Sequence, residues 1–149
     1  MPKSSSSLAG FKWTFFDTHQ MERALAFGNG RYQVCNGRDE GMLAGLALGC
    51  DASIGNGFNY MPGVYQRMRA AFAVGDFKTA RMEQSRSCLA VALMQKPKFK
   101  GVLTCCKAMH EMRGVPVGST RKPLPELTAA DKEELKKDLT AIGFFDWCD

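Results

Sequence analysis

The first 75 residues alternate short apolar runs with helical apolar spacing three times over, and that alternation narrows the fold more than any other feature of the chain. Residues 8–13 read as a strand. Asp17 or Thr18 can cap a helix running to about residue 27, with Met21 and Leu25 four apart on one face. Gly28-Asn29-Gly30 ends it, because glycine accepts left-handed backbone without a Cβ clash. Residues 31–35 read as a second strand, and residues 39–48 as a helix with Met42, Leu43, Leu46 and Ala47 apolar. Residues 51–55 read as a short third strand. Pro62 opens a helix to about residue 74, a position where its missing N–H would be unpaired anyway. Strand and helix in strict alternation imply a parallel α/β sheet with right-handed crossovers. Such sheets put functional groups at the C-terminal ends of their strands. That rule points to residues 12–14, 36–40 and 55–59.

The second half is helical in pattern. Residues 76–94 and 98–112 form two helices, and a Pro- and Gly-containing loop follows over 114–125. Thr128 starts the last helix with a T-A-A-D capping pattern. Leu135, Leu139 and Ile142 line one side of it, and Glu133, Glu134, Lys136 and Lys137 supply the polar side. The aromatic tail Phe144-Phe145-Asp146-Trp147 is expected to dock on the core or on a neighbouring subunit. The expected division is a polar leader without fixed structure over 1–7, three βα units over 8–75, and C-terminal helices over 76–149.

Composition excludes several classes. With 149 residues, 45% hydrophobic and 23% charged, the chain has the size and balance of one globular domain. Of its six cysteines none pairs as C-x-x-C, so they read as reduced thiols that pack as small apolar groups, and no metal is expected. The start lacks a secretory apolar core, and no apolar run nears the roughly 20 residues of a membrane span. A soluble cytoplasmic protein with no membrane partner is expected. The net charge of +5 is dispersed. Its densest group, Lys96, Lys98 and Lys100 around Phe99, reads as a solvated helix start rather than a nucleic-acid surface.

Three groups can carry chemistry, each with a plainer alternative. Lys12 lies between Phe11 and Trp13 at a strand end, where partial desolvation would favour the neutral amine. An amine that attacks a ketone near neutrality needs a pKa of about 7–8, against an ordinary value of about 10.4. A strand lysine can equally snorkel to solvent. Asp39 and Glu40 follow Asn36-Gly37-Arg38 at a strand-to-helix junction. They can hold sugar hydroxyls, or simply complement the helix dipole. The turn Gly55-Asn56-Gly57-Phe58-Asn59 can present bare N–H groups to a carboxylate or carbonyl, or serve only packing. It does not fit G-x-G-x-x-G, since residue 60 is Tyr, so no dinucleotide cofactor is expected.

The three groups together resemble one family. Gly10-Phe11-Lys12-Trp13-Thr14 is similar to the G-x-K-x-T/S strand of the dihydrodipicolinate synthase-like class I aldolases, whose lysine forms an imine with pyruvate. Gln20-Met21-Glu22-Arg23 resembles the following helix of the N-acetylneuraminate lyase branch. Gly37-Arg38-Asp39-Glu40 is similar to its G-x-D-E turn, whose acids contact the polyol tail of the sugar acid. Ile54-Gly55-Asn56-Gly57-Phe58-Asn59 resembles its I-G-S-T-Y-N turn, with Asn56 where the family has serine, and Arg121-Lys122-Pro123 resembles a basic Pro motif near the family's C-terminus.

The resemblance implies a partial (β/α)8 TIM barrel, holding its last three βα units and the C-terminal helices. It implies Lys12 as Schiff-base lysine, with Thr14, Gly37, Asp39, Glu40 and Asn56 binding substrate. It implies cleavage of a 2-oxo sugar acid such as N-acetylneuraminate to pyruvate and N-acetylmannosamine, without cofactor. A whole barrel takes about 250 residues. The family's carboxylate-binding Ser/Thr turn and its tyrosine belong to the part without counterpart here. Three strands cannot close a barrel, and their open edges invite pairing. Little or no activity is therefore expected of this chain alone. The expected partners are small-molecule sugar acid and pyruvate, with a homo-oligomer or a complementing barrel half. The alternative is a non-catalytic half-barrel that pairs with a full-length lyase.

Overall fold

The computed structural model describes residues 7–149. The leader expected over residues 1–7 thus lies, but for Ser7, outside the described residues. Three strands form one parallel sheet in the order β1 (Gly10–Trp13), β2 (Gln33–Asn36) and β3 (Ala52–Ser53). Lys12 pairs with Cys35 and Trp13 with Asn36, while Cys35 and Asn36 pair with Ala52 and Ser53. The strands are shorter than their apolar runs, and β3 keeps only two residues.

Helix α1 (Thr18–Ala26) starts where Asp17 accepts the Gln20 N–H at 3.0 Å. Helix α2 (Met42–Leu48) follows a 3-10 turn over Asp39–Gly41, so the helix expected from residue 39 begins with a tighter turn. Helix α3 (Pro62–Ala73) has its proline in the first turn. Helix α4 (Phe77–Met94) is capped by Asp76, which accepts the Thr79 N–H at 3.0 Å. Helix α5 (Val102–Met112) starts later than expected, because Pro97–Phe99 forms a separate 3-10 turn. Helix α6 (Ala129–Ala141) carries the full capping box between Thr128 and Asp131. A last turn, α7 (Phe144–Trp147), ends the fold.

A small cluster of Met21, Val34 and Cys50 fills the space between β2 and α1, with Trp13 packed against it. The main core runs from Met42 through α3, α4, α5 and α6 to Cys148. The βα units and the C-terminal helices therefore share one interior. Phe144 and Trp147 are buried in it, so the aromatic tail docks on the chain's own core. Lys96, Lys98 and Lys100 are solvated as expected, but they flank a 3-10 turn and pair across to Asp138, Glu134 and Asp131 of α6 at 2.5–3.1 Å, a strap between elements.

The α3–α4 contact carries a buried charge. Glu83 of α4 is 1% exposed and accepts from Arg67 Nε at 2.9 Å and Arg86 Nη1 at 2.7 Å. Arg67 also donates to the Trp147 carbonyl at 2.5 Å and to the Asp149 carbonyl, which fastens the tail to α3. Removing Glu83 takes the shared acceptor from Arg67 and Arg86, both of which keep access to water, and leaves a gap in the α3–α4 contact. Glu83→Ala is expected to lower unfolding stability by about 2 kcal/mol. Glu83→Gln, which keeps the side chain's volume and one acceptor oxygen, should cost less. Urea unfolding checks this, and an unchanged midpoint for the alanine variant would refute it.

Candidate active site

The in-register sheet brings the three strand ends side by side. The Gly37 N–H donates to the Trp13 carbonyl at 2.7 Å, and the Ile54 N–H donates to the Asn36 carbonyl at 2.8 Å. A cavity of about 290 Å³ opens over these ends. Lys12, Thr14, Gly37, Asp39, Glu40 and Asn56, which the sequence singles out separately, all line it. Arg38, Gly55 and Tyr60 contribute more of the wall, and Val91, Met94 and Gln95 close it from the end of α4.

Gly37 is required by close approach. A Cβ there would fall 2.3 Å from Thr14 Oγ1 and 2.7 Å from Lys12 Cε. The bare glycine is what lets the lysine stem pass over the end of β2. Gly55 serves Asp39 in the same way, since its Cβ would fall 1.5 Å from Asp39 Oδ1.

Asp39 is buried at 8% exposure. The Gly57 N–H donates to its Oδ2 at 2.8 Å, while its Oδ1 has no hydrogen-bond partner. Burial pushes its carboxyl above the ordinary value of 3.8, opposed by the Gly57 N–H; the Glu40 charge raises it further and the Lys12 ammonium lowers it. Glu40 is held from one side by Arg38 Nη1 at 3.1 Å. Arg38 Nε donates to the Thr14 carbonyl at 2.6 Å, and its guanidinium lies 3.7 Å from the centre of the Phe16 ring. Arg38 thus ties the end of β1 to the turn after β2. Gln84 of α4 donates to the Asp39 carbonyl at 3.2 Å and accepts from the Leu43 N–H at 2.8 Å, which fixes that turn from behind. Tyr60 points its hydroxyl to Met94 Sδ at 3.6 Å and Cys106 Sγ at 3.5 Å, and burial pushes its pKa far up.

Lys12 departs from expectation. It sits on β1 and lines the cavity, but the side chain is exposed rather than walled off between Phe11 and Trp13. The reason is its strand: β1 is at the edge of the sheet, and among the described residues nothing packs along its outer side. Thr14 and Asn56 are exposed as well, while Glu40 is half-buried.

Comparison with known proteins matches the Dihydrodipicolinate synthetase family model over residues 3–142. The chain belongs to the dihydrodipicolinate synthetase family. It is 30% identical over 139 residues to the N-acetylneuraminate lyase of Rhizobium meliloti, covering 93% of this chain and 45% of that protein. It is 38% identical over 81 residues to the 4-hydroxy-tetrahydrodipicolinate synthase of Corynebacterium jeikeium, covering 52% of this chain and 25% of that one. Among solved structures it is similar to the N-acetylneuraminate lyase of Proteus mirabilis, with a TM-score of 0.84 and 27% identity over 92% of this chain and 45% of that one. The chain therefore spans less than half the length of these relatives, and its fold is a partial (β/α)8 barrel of three βα units with C-terminal helices. No helix among the described residues is long and apolar enough to cross a membrane.

Arg38 and Tyr60 stand inside or beside motifs legible in the sequence, yet neither is singled out there as a wall of the site. Val91, Met94 and Gln95 come from a helix end far along the chain, with no local signal to mark them.

Asp39 gives a pH test. Its folded pKa is raised, so its contribution to stability is present in full below the ordinary value of 3.8 and is lost as pH rises through the folded value. Relative to Asp39→Asn, the unmodified chain is expected to lose stability as pH rises above the ordinary carboxyl value of 3.8. A difference in urea midpoint that does not change with pH would contradict this.

Proposed function

We propose that the cavity is the tail-binding part of a class I aldolase site of the N-acetylneuraminate lyase type, with Lys12 as Schiff-base amine. The single observation that carries this reading is the convergence of Lys12, Asp39, Glu40 and Asn56 on one cavity at aligned parallel strand ends. Family membership supports the chemistry, and the identity to N-acetylneuraminate lyases supports a 2-oxo sugar acid as substrate.

In this reading the Lys12 amine adds to the C2 ketone of the open-chain acid and water leaves, forming an imine. The C3–C4 bond then breaks, and its electron pair moves toward the imine nitrogen. The C4 hydroxyl loses its proton as C4 becomes the aldehyde of N-acetylmannosamine. C3 regains a proton, and water hydrolyses pyruvate from the lysine. Asp39 and Glu40 accept hydrogen bonds from the tail hydroxyls, Glu40 being the more exposed of the two. Thr14 and Gly37 bound the space beside the amine, and Asn56 stands where it can both donate and accept. No metal or organic cofactor enters this sequence of steps. The six free thiols fit a cytoplasmic setting.

The exposure of Lys12 limits what residues 7–149 do by themselves. An exposed amine has no wall on its outer side to hold an incoming ketone against it. The same observation favours, as second reading for the chain alone, a non-catalytic half-barrel. Purified alone, the chain is expected to show little or no cleavage of N-acetylneuraminate in a steady-state pyruvate assay. Pyruvate with borohydride is expected to label Lys12 weakly, and Lys12→Arg should abolish that label by mass spectrometry. Normal turnover would refute the first expectation, and labelling that survives Lys12→Arg would remove Lys12 from the chemistry.

A further inference from the structure

Arg38 stands in the cavity wall as a planar cation with five N–H donors and no acceptor. Its Nε donates to the Thr14 carbonyl at 2.6 Å, and its Nη1 donates to Glu40 Oε1 at 3.1 Å. The guanidinium carbon lies 3.7 Å from the centre of the Phe16 ring. Phe16 is not part of the cavity lining, whereas Arg38 is, so the ring backs the guanidinium from outside. Among the described residues Nη2 donates to nothing, although the side chain is only 30% exposed. The chain thus fixes this cation through Thr14, Glu40 and Phe16 and leaves its remaining edge unpaired at the cavity.

The groups around that edge decide what it can take. Glu40 is paired with Arg38, and Asp39 lines the cavity next to it. An anion brought to Nη2 would come close to both carboxyl groups, and like charges at that range repel. A hydroxyl both donates and accepts, so either the acids or Arg38 can hold it. A carbonyl oxygen only accepts, so the carboxylates cannot hold it and a donor must. Lys12 is committed to the ketone in the aldolase reading. Asn56 and Gln95 also line the cavity, but as exposed side chains without the anchoring that Arg38 has.

We infer that Arg38 is a specificity-determining residue of this site, and that its unpaired edge donates to the acetamido carbonyl of a 2-oxo sugar acid whose tail bears an N-acetylamino group. The inference rests on the aldolase reading and narrows its substrate from 2-oxo sugar acids in general to acetamido ones. The division of labour follows from donor and acceptor character. Asp39 and Glu40 receive hydroxyl protons, and Arg38 meets the one tail group that has only lone pairs to offer. Because the guanidinium is already held on two of its edges and one face, little ordering is left to be done when that group arrives.

The test uses the 149-residue chain with N-acetylmannosaminitol and mannitol, open-chain polyols that differ by an acetamido group in place of one hydroxyl. Neither carries a ketone, so imine formation at Lys12 does not enter. Titration followed by ligand-observed NMR gives the ratio of their affinities. The acetamido compound is expected to bind about fivefold more tightly. Arg38→Met, which keeps much of the stem but no donor, should abolish that preference. Arg38→Lys keeps a charge beside Glu40 but not the planar fork, and should lose the preference too. Val74→Asp, at a position 80% exposed outside the cavity lining, should keep it. Should Arg38→Met fold poorly, Phe16→Leu removes the flat ring behind the guanidinium and should lower the ratio; an unchanged ratio there would overturn the inference. Equal affinity for the two polyols in the unmodified chain, or a preference that survives Arg38→Met, would overturn it and leave the aldolase reading standing. A preference retained in full by Arg38→Lys would reduce Arg38 to the ion partner of Glu40, which also overturns it. Binding of neither polyol would overturn the tail-binding reading and the inference together.

Discussion

The parallel ladder between β1 and β2 sets everything else in the cavity. Pairing Lys12 with Cys35 and Trp13 with Asn36 brings Thr14 and Gly37 together just beyond the strand ends. A shift of one residue would turn Lys12 to the helix layer and Phe11 into the cavity, because side chains alternate along a strand. The Gly37 N–H, bonded to the Trp13 carbonyl, extends the ladder past the last strand residue. Only then can the lysine stem cross above a residue without a side chain. The chemistry is positioned by backbone hydrogen bonds, and the side chains inherit that order.

On this base the acidic side of the site is far more determined than the amine. Asp39 is fixed by the Gly57 N–H, by the space that Gly55 leaves, and through its own carbonyl by Gln84. Glu40 is fixed by Arg38, itself held by the Thr14 carbonyl and the Phe16 ring. Lys12 has no comparable set of neighbours. The two halves of one site thus differ in how many elements of this chain contribute to them: the carboxylates draw on β2, β3 and α4, and the amine on a single edge strand.

What could be read in the sequence follows from how local each signal is. Asp17, Asp76 and the Thr128–Asp131 box act within three residues of themselves, so the helix starts were legible. Each site motif sits on one strand end, and a parallel sheet makes all such ends neighbours, so their convergence was legible too. The exposure of Lys12 was not, because it depends on whether another strand lies beyond β1, which no residue near Lys12 encodes. The contribution of α4 was hidden for a similar reason. Val91, Met94 and Gln95 look like any helix end until α4 folds back over the sheet. The lysines at 96, 98 and 100 show the limit from the other side: their partners lie more than thirty positions along the chain.

That strap has a consequence for how the molecule meets its surroundings. The densest positive segment of a chain with a net charge of +5 is matched, lysine for carboxylate, by one face of α6. Its field is largely cancelled within a few ångströms, short of the roughly 8 Å over which physiological salt screens charge. A polyanion drifting past would find little there to grip. Added salt would act first on the grip of α6 upon the turn it holds, so ionic strength becomes a handle on internal docking rather than on association.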